Sequence, residues 1–388
     1  MLQYASLKVQ FTENRQFCGS RFHSCLCRYR TGKVIQLDIA ILTFQFAHNY
    51  GALLQAYTLK RFLQNEGHHV KIAPFFPDWA QKEYSISPFS KGISVRKRIR
   101  FTLQYPKRRL LAEKFHQFQK EMLEIDDSIE TKRELEEYLN AFETVVFGSD
   151  QIWNDKITGD TDAYYGGNIS STRIAYAASL GTKKITPVQE KNIKELFPRF
   201  KAISVRENTS QKLLEGVVDI PVTAVADPVF LLSRKEWEEI SVPVETAEKF
   251  MFLYFLRDDP SLLASAKRIA EEHDLVIYEV HPTLARFHDG CTPLYHVGPR
   301  EFVWLIQHAE YVCTNSFHAT SFSVIFRKKL LHIPNEISPE RTISLLSYIK
   351  IDMKENAGTP LYDLSKCDYS DIEELIGSSK EFLNQALR

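Results

Sequence analysis

From Ile39 onward the chain alternates short apolar runs with longer amphipathic stretches. Ile39-Ala-Ile-Leu-Thr-Phe44 is a continuous apolar run, the pattern of a strand buried on both faces. A polar loop, Ala47 to Gly51, leads into a helical pattern with Leu53, Leu54, Tyr57 and Phe62 on its apolar face, ended by Gly67. Val70 to Ala73 is the next strand, so the segment opens a parallel sheet as a βαβ unit. The rhythm returns with apolar strands at 144–147, 174–178, 202–205 and 223–226. Each ends in small or polar residues, and in open α/β sheets such strand ends line the ligand crevice. A second set follows, with strands at 250–256, 275–280, 311–313 and 329–333 and helices at 260–273, 299–308 and 316–326.

This periodicity predicts an α/β protein with two doubly wound domains, at 34–232 and 249–345. Residues 233–248 are polar, carry Pro243 and read as a linker. Residues 346–388 read as a helical tail, packing back on the first domain, with a break at Gly377. Residues 80–140 form a helical, basic insertion. Between Lys91 and Lys114 it has nine Lys/Arg and one acid, Glu113. A solvated helical face is the first reading of that charge, and a surface for a membrane leaflet or a phosphorylated acceptor is the sharper one. Residues 1–33 are basic, with Glu13 the only acid, and lack sustained periodicity. A flexible arm, a partner-binding tail and an over-extended translation start all fit them.

Composition narrows the class without naming it. The 388 residues are 44% hydrophobic and 25% charged with a formal net charge of zero, so the whole molecule makes no case for nucleic acid. No run approaches the ~20 apolar residues of a membrane span. The basic N-terminus has no apolar core of a secretory signal, and six cysteines are too few for a disulfide scaffold. No Cys/His spacing completes a zinc site, so no metal is expected. A cytoplasmic protein is expected, with peripheral contact at the inner face of the membrane as an extension of that reading.

Four strand-end clusters carry candidate chemistry. In Asn49-Tyr50-Gly51-Ala52, the glycine lets a backbone approach a ligand and starts a helix, or serves a simple turn. In Gly148-Ser-Asp-Gln-Ile-Trp-Asn154, Asp150 and Asn154 can fix sugar hydroxyls and Trp153 can stack on a sugar face; a capped turn with a core tryptophan is the alternative. Arg206, in Ser204-Val-Arg-Glu207, can clamp a carboxylate or phosphate, or pair with Glu207. In Asn315-Ser-Phe-His318, Ser316 caps a helix whose first turn favours an anion and carries His318.

Taken in order, these segments resemble the polysaccharide pyruvyl transferase family. They are Asn49-Tyr-Gly-Ala-x-Leu-Gln-Ala-Tyr57, Gly148-Ser-Asp-Gln-x-Trp-Asn154, Tyr176-Ala-Ala-Ser-x-Gly181, Ser204-Val-Arg-Glu207, Asp227-Pro-Val-Phe-Leu-Leu232 and Asn315-Ser-Phe-His-Ala-Thr320. The resemblance spans about Ile39 to Leu346. It implies a GT-B-like enzyme, two Rossmann-like domains facing across a cleft. Such an enzyme would move the enolpyruvyl group of phosphoenolpyruvate onto a sugar of a cell-surface polysaccharide or its lipid-linked precursor, forming a pyruvate ketal without metal or nucleotide-sugar cofactor. It also implies that Arg206 and His318 hold and activate the donor, with His318 as general acid and Asp150 as base or sugar-orienting group. Asn315 and Ser316 fall in the donor segment, and Asn49, Tyr50, Gly51, Trp153 and Asn154 on the acceptor side. Ser316 stands where the family places a second arginine; Arg341 and the run Arg327-Lys-Lys329 are the candidates to compensate. A GT-B glycosyltransferase with a nucleotide-sugar donor and a non-catalytic glycan-binding protein are the alternatives.

Overall fold

Apolar β-branched and aromatic runs too short for helices pair side by side, and the stretches between them cover the resulting sheets. The computed structural model describes residues 36–84, 95–281, 284, 287–334, 339–353 and 360–388. The 1–33 extension lies outside them. The first sheet contains β1 (Asp38–Leu42), β2 (His69–Ile72), β3 (Thr144–Phe147), β4 (Thr172–Ala178), β5 (Phe200–Val205) and β6 (Val222–Ala224) in the order β2-β1-β3-β4-β5-β6, and every pairing is parallel. The second contains β7 (Phe250–Tyr254), β8 (Val276–Val280), β9 (Thr292–Pro293), β10 (Tyr311–Thr314), β11 (Lys329–His332) and β12 (Leu361–Asp363) in the order β12-β11-β10-β7-β8-β9, parallel except for β12.

The helices run in chain order α1 (Tyr50–Asn65), α2 (Asp78–Glu83), α3 (Val95–Phe118), α4 (Lys132–Leu139), α5 (Asp155–Thr158), α6 (Pro187–Leu196), α7 (Asn208–Glu215), α8 (Arg234–Ile240), α9 (Pro260–Glu272), α10 (Pro299–His308), α11 (Phe317–Ile325), α12 (Pro339–Ser347) and α13 (Ser370–Ala386). Strand order reverses between β1 and β3 in one sheet and between β7 and β10 in the other. Crevices open beyond the strand ends at such points.

Helix α1 is buried on nearly every side, which is unusual for a helix flanking one sheet. It lies between the two sheets. Tyr50 stacks on Phe302 of α10 at 4.4 Å and donates its hydroxyl to the Val297 carbonyl at 2.9 Å. One of the apolar cores therefore runs through both domains, including Ile39 and Leu54 on one side and Phe252, Phe302 and Phe322 on the other.

Several boundaries differ from the sequence reading. The linker at 233–248 contains α8, capped by Ser233, whose Trp237 is fully buried against Phe322. The tail is not purely helical: β12 extends the second sheet beyond residue 345, and α13 runs unbroken through Gly377. α13 packs back on the first domain, with Phe382 against Tyr176 and Ser379 accepting from the Ala226 amide. The insertion is helical and ends in a π-helical turn, Gln119–Leu123. Part of its positive charge bridges to the second domain: Lys114 pairs with Glu301, and Lys107 lies 3.6 Å from the Tyr295 ring centroid.

Candidate active site

The ends of β4, β5 and β6 and the starts of α11 and α12 converge on a buried charged cluster. Arg206 leaves β5 with its side chain only 3% exposed. Its Nη1 donates to Asp227 Oδ2 at 2.7 Å and its Nε to Glu207 Oε1 at 3.2 Å, while Phe317 lies beneath the guanidinium, 5.0 Å from ring centroid to Cζ. Asp227 sits just past β6, where it caps the Pro228–Phe230 turn through the Val229 amide. Arg341, from α12, reaches the same Glu207 oxygen at 3.0 Å and donates to Ser179 Oγ at 3.2 Å. Arg341, one of the two candidates to compensate for Ser316, thus places a second guanidinium in the cluster. Arg327 instead lies over Tyr369, and Lys328 donates to the Gln307 carbonyl, so the basic run serves other contacts.

His318 enters from the second domain in the first turn of α11. Its Nε2 lies 3.5 Å from Asp227 Oδ2, and its ring rests against Gly51 of α1. A Cβ on Gly51 would sit 2.0 Å from His318 Nδ1, so only glycine leaves room for the imidazole there. Asn49 caps α1 by accepting from the Gly51 and Ala52 amides. Two helix N-termini, one from each domain, therefore flank the histidine, and their dipoles favour negative charge between them.

Asp150 follows β3 with φ of 75°, a left-handed conformation that aspartate tolerates better than most residues. Gly148 makes the turn possible: a side chain there would strike the Tyr176 carbonyl at 2.2 Å. The buried Gln55 side chain, held by Thr43, accepts from the Ser149 amide and fixes this loop. Asp150 Oδ1 lies 3.8 Å from Arg206 Nη2.

The electrostatics follow from burial opposed by pairing. Burial pushes the Asp227 carboxyl up, but the charges of His318 and Arg206 outweigh it and hold the group well below its ordinary range. Glu207 is likewise pushed up by burial and pulled below its ordinary value by Arg341 and Arg206. Burial works against the charged form of Arg206, yet Glu207, Asp227 and Asp150 together raise its pKa. Two buried polar atoms in this lattice make no hydrogen bond: Arg206 Nη2 and His318 Nε2. Buried polar atoms are nearly always partnered, so these two donors, Nη2 3.8 Å from Asp150 and Nε2 3.5 Å from Asp227, mark a candidate ligand position. Among the described residues no group of three or more His, Cys, Asp or Glu is arranged to hold a metal. No described helix is long and apolar enough to cross a membrane.

Asp150, Arg206, His318, Arg341 and Gly51 thus come together. Other candidates serve the scaffold. Trp153 is fully buried, packs on Phe197 at 4.7 Å and donates its indole N–H to the Tyr164 carbonyl, so it has no face left for a sugar. Tyr50 is committed to the core between the domains. Asn154 caps α5 and binds Gln151. Asn315 uses both ends of its amide on the β7 loop, accepting from the Leu256 amide and donating to the Arg257 carbonyl. Ser316 is the N-cap of α11 and supplies no charge. The sequence reading gave no role to Asp227 or Ser179, and gave Glu207 only that of an ion-pair partner for Arg206, although all three lie in the strand-end segments; for the two acids, a carboxylate just after an apolar strand was the available signal.

Comparison with known proteins sets this geometry in context. The chain is similar in structure to a UDP-GlcNAc 2-epimerase from Methanocaldococcus jannaschii (13% identity, 88% of this chain and 99% of that one, TM-score 0.39). It is also similar to the UDP-GlcNAc 2-epimerase from Neisseria meningitidis bound to UDP-GlcNAc (11% identity, 90% and 98%, TM-score 0.46). A third is the E. coli ADP-heptose LPS heptosyltransferase II (10% identity, 76% and 84%, TM-score 0.35). At these values the likeness says nothing about substrate. No curated protein is significantly similar to the chain. The family model for polysaccharide pyruvyl transferase matches residues 49–337, which include every member of the charged cluster except Arg341. With two Rossmann-like domains meeting at their strand ends in a GT-B-like arrangement, the chain belongs to the polysaccharide pyruvyl transferase family.

Proposed function

We propose that the chain transfers the enolpyruvyl group of phosphoenolpyruvate to two hydroxyls of a sugar in a surface polysaccharide or its lipid-linked precursor, forming a pyruvate ketal and releasing phosphate. The observation that carries this reading is the pair of buried donors without a hydrogen bond at the N-terminus of α11, Arg206 Nη2 beside Asp150 and His318 Nε2 beside Asp227. Together they suit the carboxylate or phosphate oxygens of a compact anion. Three acids, Asp150, Glu207 and Asp227, face the guanidinium groups of Arg206 and Arg341. The site is therefore set for an anion that engages specific donors rather than for bulk negative charge.

In this scheme His318, facing Asp227, acts as general acid and delivers a proton to C3 of the donor, turning the methylene into a methyl group and leaving C2 cationic. The first sugar hydroxyl attacks C2, and Asp150 takes its proton. The C2–O bond to phosphate then breaks, with Arg206 and the α11 N-terminus stabilising the departing charge. The second hydroxyl closes the ketal at C2. Of the two hydroxyl protons, one replaces the proton that His318 gave to C3, and the other leaves on phosphate.

The test is incubation with phosphoenolpyruvate and a pool of glycan acceptors, following free phosphate and acceptor mass together. The expected result is stoichiometric phosphate and a mass gain of pyruvate less water, reduced ~10²–10⁴-fold by His318→Ala. Near-normal turnover of that variant would remove His318 as the acid. Absence of phosphate release across the pool, with stabilisation by a nucleotide sugar instead, would overturn the donor.

A further inference from the structure

A second cleft, of about 720 Å³, opens beyond the C-terminal ends of β1 and β2, roofed by the last turns of α3 and the π-helical turn after it. Its volume falls in the ~300–1,000 Å³ range of small-molecule sites. We propose that it seats a pyranose ring of the acceptor glycan; the assignment to an acceptor rests on the ketal-transfer reading above.

The lining is chemically mixed in the way a sugar requires. Phe46 and Phe76 stack 5.5 Å apart, and Tyr84 lies 5.8 Å from Phe46, giving aromatic surface for the C–H face of a ring. Gln45, only 2% exposed, faces the cleft with Oε1 unpartnered. Its Nε2 donates to the Phe75 carbonyl at 2.6 Å, which fixes the amide orientation, so the orphan is an acceptor awaiting a hydroxyl donor. Gln81 and Asp127 add polar rim.

Charge argues for a neutral ligand. Asp126 and Asp127 line the cleft, and Lys120 pairs with Asp126 at 3.3 Å. Burial, with His116 and Arg108 nearby, lowers the His48 pKa to about 4, leaving it uncharged near neutrality. This cleft is therefore unsuited to phosphate. It is also joined to the reaction centre. His48 precedes the Asn49–Gly51 turn that touches His318, and Tyr84 lies close enough to Asp150 to have its phenol pushed up to about 12, burial being the larger cause.

The experiment is saturation-transfer NMR of the full chain with the methyl β-glycosides of glucose, galactose, mannose and N-acetylglucosamine, without donor. Transfer to ring C–H protons of at least one glycoside is expected, weakened about tenfold in both Tyr84→Ala and Gln81→Ala. The thermal shift given by phosphoenolpyruvate should be unchanged in both variants. No transfer with any glycoside, or equal binding by wild type and variants, would overturn the proposal. Sugar binding lost in the variants, with no response to phosphoenolpyruvate in any protein, would leave the subsite standing and sink the donor instead.

Discussion

Gly51→Ala isolates the contact that joins the two domains at the reaction centre. The added methyl would lie 2.0 Å from His318 Nδ1, 2.2 Å from Cγ and 2.6 Å from Cε1, where ordinary contact begins at 3.4 Å. The imidazole must therefore retreat by roughly 1.4 Å or turn away, and a misplacement of ~1 Å at a reacting group is worth ~10²-fold in rate. Overpacking of this kind costs about 1–3 kcal/mol, offset by up to ~1 kcal/mol of helix preference of alanine over glycine. The prediction is a fall of about 10²-fold or more in phosphate release, with a small loss of thermal stability. Combining Gly51→Ala with His318→Ala removes the ring that the methyl strikes. The double variant should regain the stability lost by the first change while remaining inactive. Rates and thermal melts of the four proteins complete the cycle. A Gly51→Ala enzyme with wild-type turnover and melting temperature would refute the reasoning, as would a double variant in which the two losses simply add.

Other outcomes follow from the same geometry. Arg206→Met leaves Asp227 and Glu207 buried without their shared cation and should cost about 3–5 kcal/mol in denaturant unfolding; a loss below 1 kcal/mol would deny the cluster its structural role. Trp153→Ala should cost ~3–5 kcal/mol of stability, because the ring is core; a stable variant with only a raised acceptor KM would restore the stacking role. Gly377→Ala, with open space around the new methyl, should raise stability by ~0.5–1 kcal/mol and leave turnover unchanged. Burial lowers the pKa of His332, like that of His48, to about 4. The unfolded chain takes up these protons near ~6.5, so stability should fall as pH drops from ~6.5 to ~4, by about 3 kcal/mol for each histidine. Asp227 and Glu207 have lowered pKa values, so their contribution is present above ~4 and is lost only in stronger acid. A melting temperature flat between pH 7 and 4.5 would contradict the histidine assignment.

Strands buried on both faces leave long apolar runs, which is why β3 was legible at Thr144–Phe147 and β7 and β10 within two residues of their expected ends. β9 and β12 were not legible: one has two residues and includes Pro293, the other is a three-residue antiparallel edge. α8 hid inside a polar linker because only Trp237 of its turns is buried. At the site, Arg206 and His318 stood out as candidates by strand-end position and residue type, and their place beside one carboxylate, Asp227, was not legible. For Trp153 the core reading held over sugar stacking; the sequence left both open because it marks a strand end but not which side of the turn faces the sheet. Asp227 was missed because its importance lies in being shared by Arg206 and His318, side chains from different domains, a relation that no local pattern contains.

Tyr50 has a consequence for motion. Swinging the domains apart would draw its ring off Phe302 and break its buried hydrogen bond to Val297. Exposing an aromatic side chain costs ~1.5–3 kcal/mol, and losing a hydrogen bond adds ~0.5–1.5 kcal/mol, before the rest of the shared core is counted. The hinge opening that a two-domain enzyme could use is thus a rare excursion here. Helix α1 thus acts as an axle that holds the two halves of the charged cluster, one from each domain, in register.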